Sequence, residues 1–247
     1  MPSGIFKPAY LVVLTPNATK VTTPASHPLL ASTGSVFIEE SSLEISRVGQ
    51  TSVVRANQSA DWLVNVTLAV RSVSAWGAPT ITVTIPELNV SSGPLPVSSI
   101  PASTNASTFV NANFTVPNGV PELWFPANLG TPQLYNFTIT LFLDGNSTGA
   151  SFTTRSGFRT IELIQTPYSQ EEIEARGITP GDQWHFEVNG KAFYTMGTNI
   201  IPFDPFYARM TSAQVRWVLE SAVASGQNMV RCSIPPSSRH MLIKIAI

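Results

Sequence analysis

The feature that most constrains this chain is a period of two running from Val36 to about Thr166. Trp62, Val64, Val66, Leu68 and Val70 alternate with Asp61, Leu63, Asn65, Thr67 and Ala69. The alternation returns in Ile81-Val83-Ile85, Val110-Ala112-Phe114-Val116 and Phe137-Ile139-Leu141-Leu143. Successive side chains of an extended strand point to opposite faces, so this period marks strands with one buried face. Turn clusters separate them: Ser91-Ser92-Gly93-Pro94, Pro117-Asn118-Gly119 and Asp144-Gly145-Asn146. About seven strands in roughly 120 residues suit an immunoglobulin-like β-sandwich over 36–166, without the Cys-Trp-Cys marks of antibody domains. Trp62, Trp76 and Trp124 read as core or rim packing, with a sugar-stacking platform as the alternative.

Composition narrows the function classes. Charged residues are 12% of the chain and apolar residues 43%, against about 25% charged in an average soluble protein. Ser, Thr and Asn fill the difference, and no run approaches the ~20 apolar residues that span a bilayer. Met1 to Tyr10 lacks the basic start and apolar core of a signal peptide, so any exporting segment lies outside this sequence. A net charge of −1 gives no electrostatic reason to expect nucleic acid or an anionic membrane as partner. One cysteine, Cys232, excludes an internal disulfide, and His27, His185 and His240 make no metal-ligand spacing. No metal or other cofactor is expected. A reactive role for Cys232 lacks a base partner in the sequence.

The sandwich half also carries eight Asn-X-Ser/Thr sequons, at Asn17, Asn57, Asn65, Asn89, Asn105, Asn113, Asn136 and Asn146. Chance in a chain this rich in Ser and Thr would supply roughly three. Asn65, Asn113 and Asn136 fall on the polar phase of their strands, where a glycan would stand in solvent. These are the candidate glycosylation sites, and they imply a secretory or vacuolar route.

Beyond Thr166 the pattern changes. Residues 167–182 read as a linker with a short capped helical turn over Ser169–Gly177, its Glu171, Glu172 and Glu174 forming a solvated face. Trp184, Phe186 and Val188 alternate up to Asn189-Gly190, a strong hairpin signal, and the return strand is expected over Phe193–Gly197. Thr211 and Gln214 stand at capping-box spacing. Val215, Val218, Leu219, Ala222 and Val223 then lay one apolar stripe along a helix that Gly226 stops. Asn228-Met229-Val230-Arg231 begins a further strand. Strand, helix and strand make a βαβ unit with parallel strands. A (β/α)₈ barrel takes about 250 residues, so 183–231 holds at most its first hairpin and βαβ unit. The expected fold class is therefore mostly β, an immunoglobulin-like sandwich followed by an incomplete barrel start.

The order of Gly157-Phe158-Arg159-Thr160-Ile161-Glu162, Phe186-Glu187-Val188-Asn189-Gly190-Lys191 and Gly197-Thr198-Asn199 resembles glycoside hydrolase family two. The run Gly197-Thr198-Asn199-Ile200-Ile201-Pro202-Phe203-Asp204-Pro205-Phe206 and Asn228-Met229-Val230-Arg231 are similar to fungal β-mannosidases. Gly4-Ile5-Phe6-Lys7-Pro8 resembles the end of that family's N-terminal jelly roll, which makes 1–35 the close of a preceding domain plus linker. The resemblance implies a retaining exo-enzyme that removes terminal β-mannose from oligosaccharides. It implies one glutamate as acid/base in an Asn-Glu pair and a second as nucleophile, about 5–5.5 Å apart. This sequence has no Asn-Glu pair, and neither Glu187 nor Glu220 matches a catalytic position. No catalytic residue is therefore assigned. Asn199 and Arg231, at strand ends where barrel active sites assemble, are the candidate sugar-binding residues, with a purely structural role as the alternative for Asn199. Ile200 departs from the aromatic residue expected there.

After Arg231 the resemblance ends, and 232–247 reads as a divergent tail of a truncated or frame-shifted gene product. The expectation is an inactive fragment, with a non-catalytic, glycosylated carbohydrate-binding or cell-surface sandwich as the alternative. The sequence leaves the oligomeric state open, a homodimer among the options.

Overall fold

The computed structural model describes residues 12–16, 32–51, 54–144, 150–200 and 209–232. The segment at 4–8, the sequons at Asn17 and Asn146, the 201–206 part of the run that begins at Gly197 and the tail beyond Cys232 fall outside these residues. The described chain is mostly β, with two α-helices among the described residues. It divides into two compact units, one containing Leu134–Phe158 and the described part of 10–122, the other Leu123–Gln133 and the described residues from Arg159 onward.

The first unit is a sandwich. Its strands are β1 (Ser32–Thr33), β2 (Val36–Arg47), β3 (Trp62–Ser72), β4 (Thr80–Ile85), β5 (Val90–Ser91), β6 (Leu95–Pro96), β7 (Ser103–Val116), β8 (Tyr135–Phe142) and β9 (Ala150–Ser156). One antiparallel sheet runs β1-β2-β3-β7, and the other runs β5-β4-β8-β9 with β6 also on β4. This split of the long strands, β2, β3 and β7 against β4, β8 and β9, is that of the immunoglobulin fold.

The period-two residues point inward as expected. Trp62, Val64, Val66, Leu68, Ile81, Val83, Ile85, Val110, Phe137 and Leu141 have no exposed surface. Each such aliphatic side chain contributes about 1.5–3 kcal/mol by leaving water. Phe158 is equally buried and sets its ring 5.5 Å from Trp62, 5.8 Å from Tyr135 and 5.8 Å from Phe137. It therefore joins a strand of one sheet to a strand of the other. The Tyr135 hydroxyl accepts from the Glu122 backbone N–H at 2.9 Å, which fixes the corner before β8 as tyrosine does in other sandwiches of this kind. Trp62 and Trp124 lie in cores and Trp76 is half-buried, which fits the packing role rather than an open sugar platform.

The sandwich core also holds a cation. Arg47 is 2% exposed, with its guanidinium carbon 3.6 Å from the Trp62 ring centre. Its Nη1 donates to the Ala60 carbonyl at 2.6 Å and to Asn118 Oδ1 at 2.8 Å. Burial pulls its pKa below the ordinary arginine value, and the charge of Asp61 opposes that pull. The indole face supplies attraction that an aliphatic wall would not.

The second unit contains β10 (Ile161–Ile164), α1 (Gln170–Arg176), β11 (His185–Val188), β12 (Lys191–Phe193), β13 (Gly197–Ile200), α2 (Ser212–Ala224) and β14 (Met229–Cys232). Strands β10, β11 and β12 form an antiparallel sheet, and β13 pairs with β14 in parallel. Both helices carry the caps expected of them. Ser169 and Glu172 close a capping box on α1, Gly177 ends it in the left-handed region, and Thr211 and Gln214 close a box on α2. Along α2, Val215, Val218, Leu219 and Val223 are half-buried and Ala222 is buried, while Trp217 on the opposite side is 69% exposed.

Asn189 and Gly190 both take positive φ, +51° and +73°, the requirement of the two-residue hairpin turn. The turn is anchored by the Asn189 side chain. Its Oδ1 accepts from the Thr160 N–H at 2.9 Å and its Nδ2 donates to the Trp124 carbonyl at 3.0 Å. The loop at 123–133 is thereby held to this sheet, and Arg159 covers the Trp124 ring at 4.2 Å. The return strand stops at Phe193, short of the Phe193–Gly197 span expected from the sequence. Asn228 takes the backbone between Phe193 and Gly197 out of the ladder.

Candidate functional site

The site is the parallel pair β13/β14, and its geometry starts from Gly197. A Cβ on Gly197 would fall on the backbone carbonyl of Met229, well inside contact distance. Only glycine allows the two backbones to approach this closely. Asn228, 2% exposed, then clamps the entry to β13. Its Oδ1 accepts from the Met196 N–H at 3.0 Å, its Nδ2 donates to the Tyr194 carbonyl at 3.0 Å, and its own N–H donates to the Met196 carbonyl at 2.9 Å.

With the register so fixed, Gly197 pairs with Met229, Thr198 with Val230, Asn199 with Arg231 and Ile200 with Cys232. The two candidate sugar-binding residues are thus direct cross-strand neighbours. Paired residues share a face, and Asn199 and Arg231 lie on the face opposite the buried Val230. Both are exposed. A guanidinium with five donors beside an amide with donors and an acceptor can take the vicinal hydroxyls of a sugar. It cannot supply an acid, a base or a nucleophile.

Glu187 and Glu220 are both engaged elsewhere. Glu220 pairs with Arg216 at 3.6 Å on the exposed side of α2. Glu187 Oε1 lies 3.4 Å from His185 Nε2, and Glu187 stands opposite Glu162 across β10/β11. Only the Glu162/Glu187 juxtaposition depends on strand register, that of β10 on β11, which residue types alone do not fix. Among the described residues no group of three or more His, Cys, Asp or Glu could hold a metal.

The described sequons lie on the sandwich. Asn57, Asn89, Asn105 and Asn113 are exposed, and Asn65 and Asn136 are half-buried. Asn136 Nδ2 donates to Glu87 Oε1 at 2.6 Å, and Asn57 Oδ1 accepts from the Ser59 N–H at 3.0 Å. No helix among the described residues is long and apolar enough to cross a membrane.

Residues 45–159 match the sequence model of the family described as Glycosyl hydrolases family 2. The chain is 37% identical over 233 residues to β-mannosidase A of Aspergillus flavus, covering 93% of this chain and 23% of the relative. It is 36% identical over 235 residues to β-mannosidase A of Aspergillus aculeatus, covering 93% of this chain and 22% of the relative. The chain therefore spans under a quarter of the length of the curated relatives it matches. Among solved structures, a β-D-mannosidase from Dictyoglomus thermophilum aligns with a TM-score of 0.53 at 19% identity, over 79% of this chain and 21% of that one. An exo-chitosanase from Amycolatopsis orientalis aligns with a TM-score of 0.53 at 19% identity, over 82% of this chain and 21% of that one. The likeness to these structures is one of fold. The resemblance read from the sequence, to fungal β-mannosidases of this family, is borne out.

Proposed function

Because residues 45–159 match the model of family 2 glycosyl hydrolases and most of the chain resembles fungal β-mannosidase A, we propose that it is part of a retaining exo-β-mannosidase. The whole enzyme would release terminal β-mannose from β-mannoside oligosaccharides. The single observation that carries this reading is identity of 37% sustained over 93% of the chain. In this reading 36–166 is the immunoglobulin-like domain, 167–182 a linker and 183–231 the opening of the catalytic barrel, with 1–35 closing a jelly roll.

Asn199 and Arg231 then line the sugar pocket at the C-terminal ends of neighbouring parallel strands, as active-site residues do in barrels. Their shared face and exposure support that role. Hydrolysis with retention needs two carboxylates about 5–5.5 Å apart across the scissile bond, and the pair β13/β14 offers none. This chain alone is inactive. The sequons and the low charge favour a glycoprotein on a secretory or vacuolar route.

The test is hydrolysis of an aryl β-mannoside by the purified chain and by a longer protein that includes it. The chain should show no turnover above an empty-host control, and the longer protein should be active. In that protein, Asn199→Ala and Arg231→Ala should raise KM more than they lower kcat, as expected for residues that bind ground and transition states alike. Turnover by the chain itself would refute the reading.

A further inference from the structure

Two of the sequons meet in the fold. Asn65 of β3 and Asn113 of β7 are Cα partners in the antiparallel pairing, although 48 positions separate them in the sequence. Both belong to the outer face of the four-stranded sheet, since Val64, Val66 and Ala112 beside them are buried. The sequon hydroxyls follow suit, with Thr67 and Thr115 on the same face one step further along each strand.

The two positions are unequal. β3 is an inner strand with β2 on its other side, where Glu44 stands opposite Asn65. Among the described residues β7 is the edge of its sheet, with no strand paired on the far side of Asn113. Their exposures agree with this, Asn113 being exposed and Asn65 half-buried.

Resting on the glycoprotein reading above, we infer that Asn65 and Asn113 form one twin site for N-linked glycans. In it the Asn113 glycan leans off the sheet edge and encloses the Asn65 glycan. In the transfer, Asn Nδ2 forms a bond to C1 of a lipid-linked oligosaccharide. The bond from C1 to the lipid diphosphate breaks, and the amide loses one proton. This happens on the extended chain, before β7 docks on β3, so both asparagines can be modified. Folding then brings the two asparagine Cβ atoms to about 4.5–5.5 Å apart, so that two substituted pyranose rings compete for the same space above the sheet. One glycan must move aside, and only Asn113 has a free side to move to. The pairing would thus give the sheet's outer face one layered carbohydrate cover in place of two independent chains.

The test uses the full chain secreted from a eukaryotic host. Under native conditions an oligomannose-cleaving endoglycosidase is applied, and release is followed at each site by glycopeptide mass spectrometry. Release at Asn65 should be severalfold slower than at Asn113, and the difference should vanish after denaturation. Thr115→Ala, which removes the Asn113 sequon and keeps the asparagine, should bring release at Asn65 up to the rate seen at Asn113. Asn113→Gln should do the same, whereas Thr67→Ala should leave Asn113 unchanged. Equal native rates, or no acceleration at Asn65 in either Asn113-site variant, would overturn the inference. So would occupancy of only one member of the pair, or of neither, while other sequons are modified. A chain with no glycan at any sequon would overturn the glycoprotein reading itself.

Discussion

Asn189 concentrates three local requirements in one buried side chain, and substituting it separates them. Replacement by glycine keeps the left-handed backbone but removes both side-chain hydrogen bonds. The Thr160 N–H, on a residue 2% exposed, then loses its acceptor. An unsatisfied buried donor costs about 1–3 kcal/mol, and the second bond, to the Trp124 carbonyl, adds about 0.5–1.5 kcal/mol. Asn189→Gly should therefore destabilise by about 2–4 kcal/mol. Asn189→Ala loses the same bonds and adds about 1–2 kcal/mol for a Cβ at φ +51°. Asn189→Asp keeps the acceptor for Thr160 but sets a carboxylate oxygen against the Trp124 carbonyl, so it should be worse than Gly in spite of its closer shape. The assay is chemical denaturation of the four proteins, with hydrogen exchange at the Thr160 amide reporting the local bond. The order wild type, Gly, Ala is the essential result. Equal stability of wild type and Asn189→Gly, with the Thr160 amide still protected, would refute the reasoning.

Two further outcomes are expected. Arg47→Met should lower the urea midpoint much less than Arg47→Ala. The longer side chain fills the space against Trp62 with a sulfur–aromatic contact, whereas alanine leaves a cavity worth about 2–4 kcal/mol. Equal losses would show that the guanidinium bonds, and not the filled volume, hold that end of the sandwich. Glu39 has its pKa lowered below 4.5, first by the hydrogen bond from Arg71 and then by that from Ser107. A carboxylate depressed by folding stabilises above its unfolded pKa, and this contribution is lost as pH falls through the lower folded value. The stability gap between wild type and Glu39→Gln should thus be present at neutral pH and close as the pH falls below the ordinary glutamate value of about 4.3. A gap that persists through strongly acid pH would contradict it.

How much of this was legible in the sequence depends on the range of the interaction. Trp62 to Val70 announced its strand because alternation is a property of neighbours along the chain. Asn189-Gly190 and the Thr211/Gln214 box were readable for the same reason. Asn228 gave no such sign, because its three hydrogen bonds go to residues more than thirty positions away. It is also why the strand expected over Phe193–Gly197 is shorter in the fold. Arg47 reads as an ordinary surface charge until Trp62 is placed over it. The candidate pair Asn199 and Arg231 came from resemblance to a family. That they are immediate neighbours on one face follows only from the parallel register.

Gly197 governs that register, and its lack of a side chain has a combinatorial meaning. A strand pair can slide by whole residues, and a slide of one would exchange the two faces of β13. Thr198 or Ile200, depending on the direction, would then stand where Asn199 does. The close approach of Gly197 to the Met229 carbonyl excludes this, since every neighbouring position would bring a Cβ into that spot. One missing methyl group thus acts as the reference mark from which the phase of the whole strand is counted.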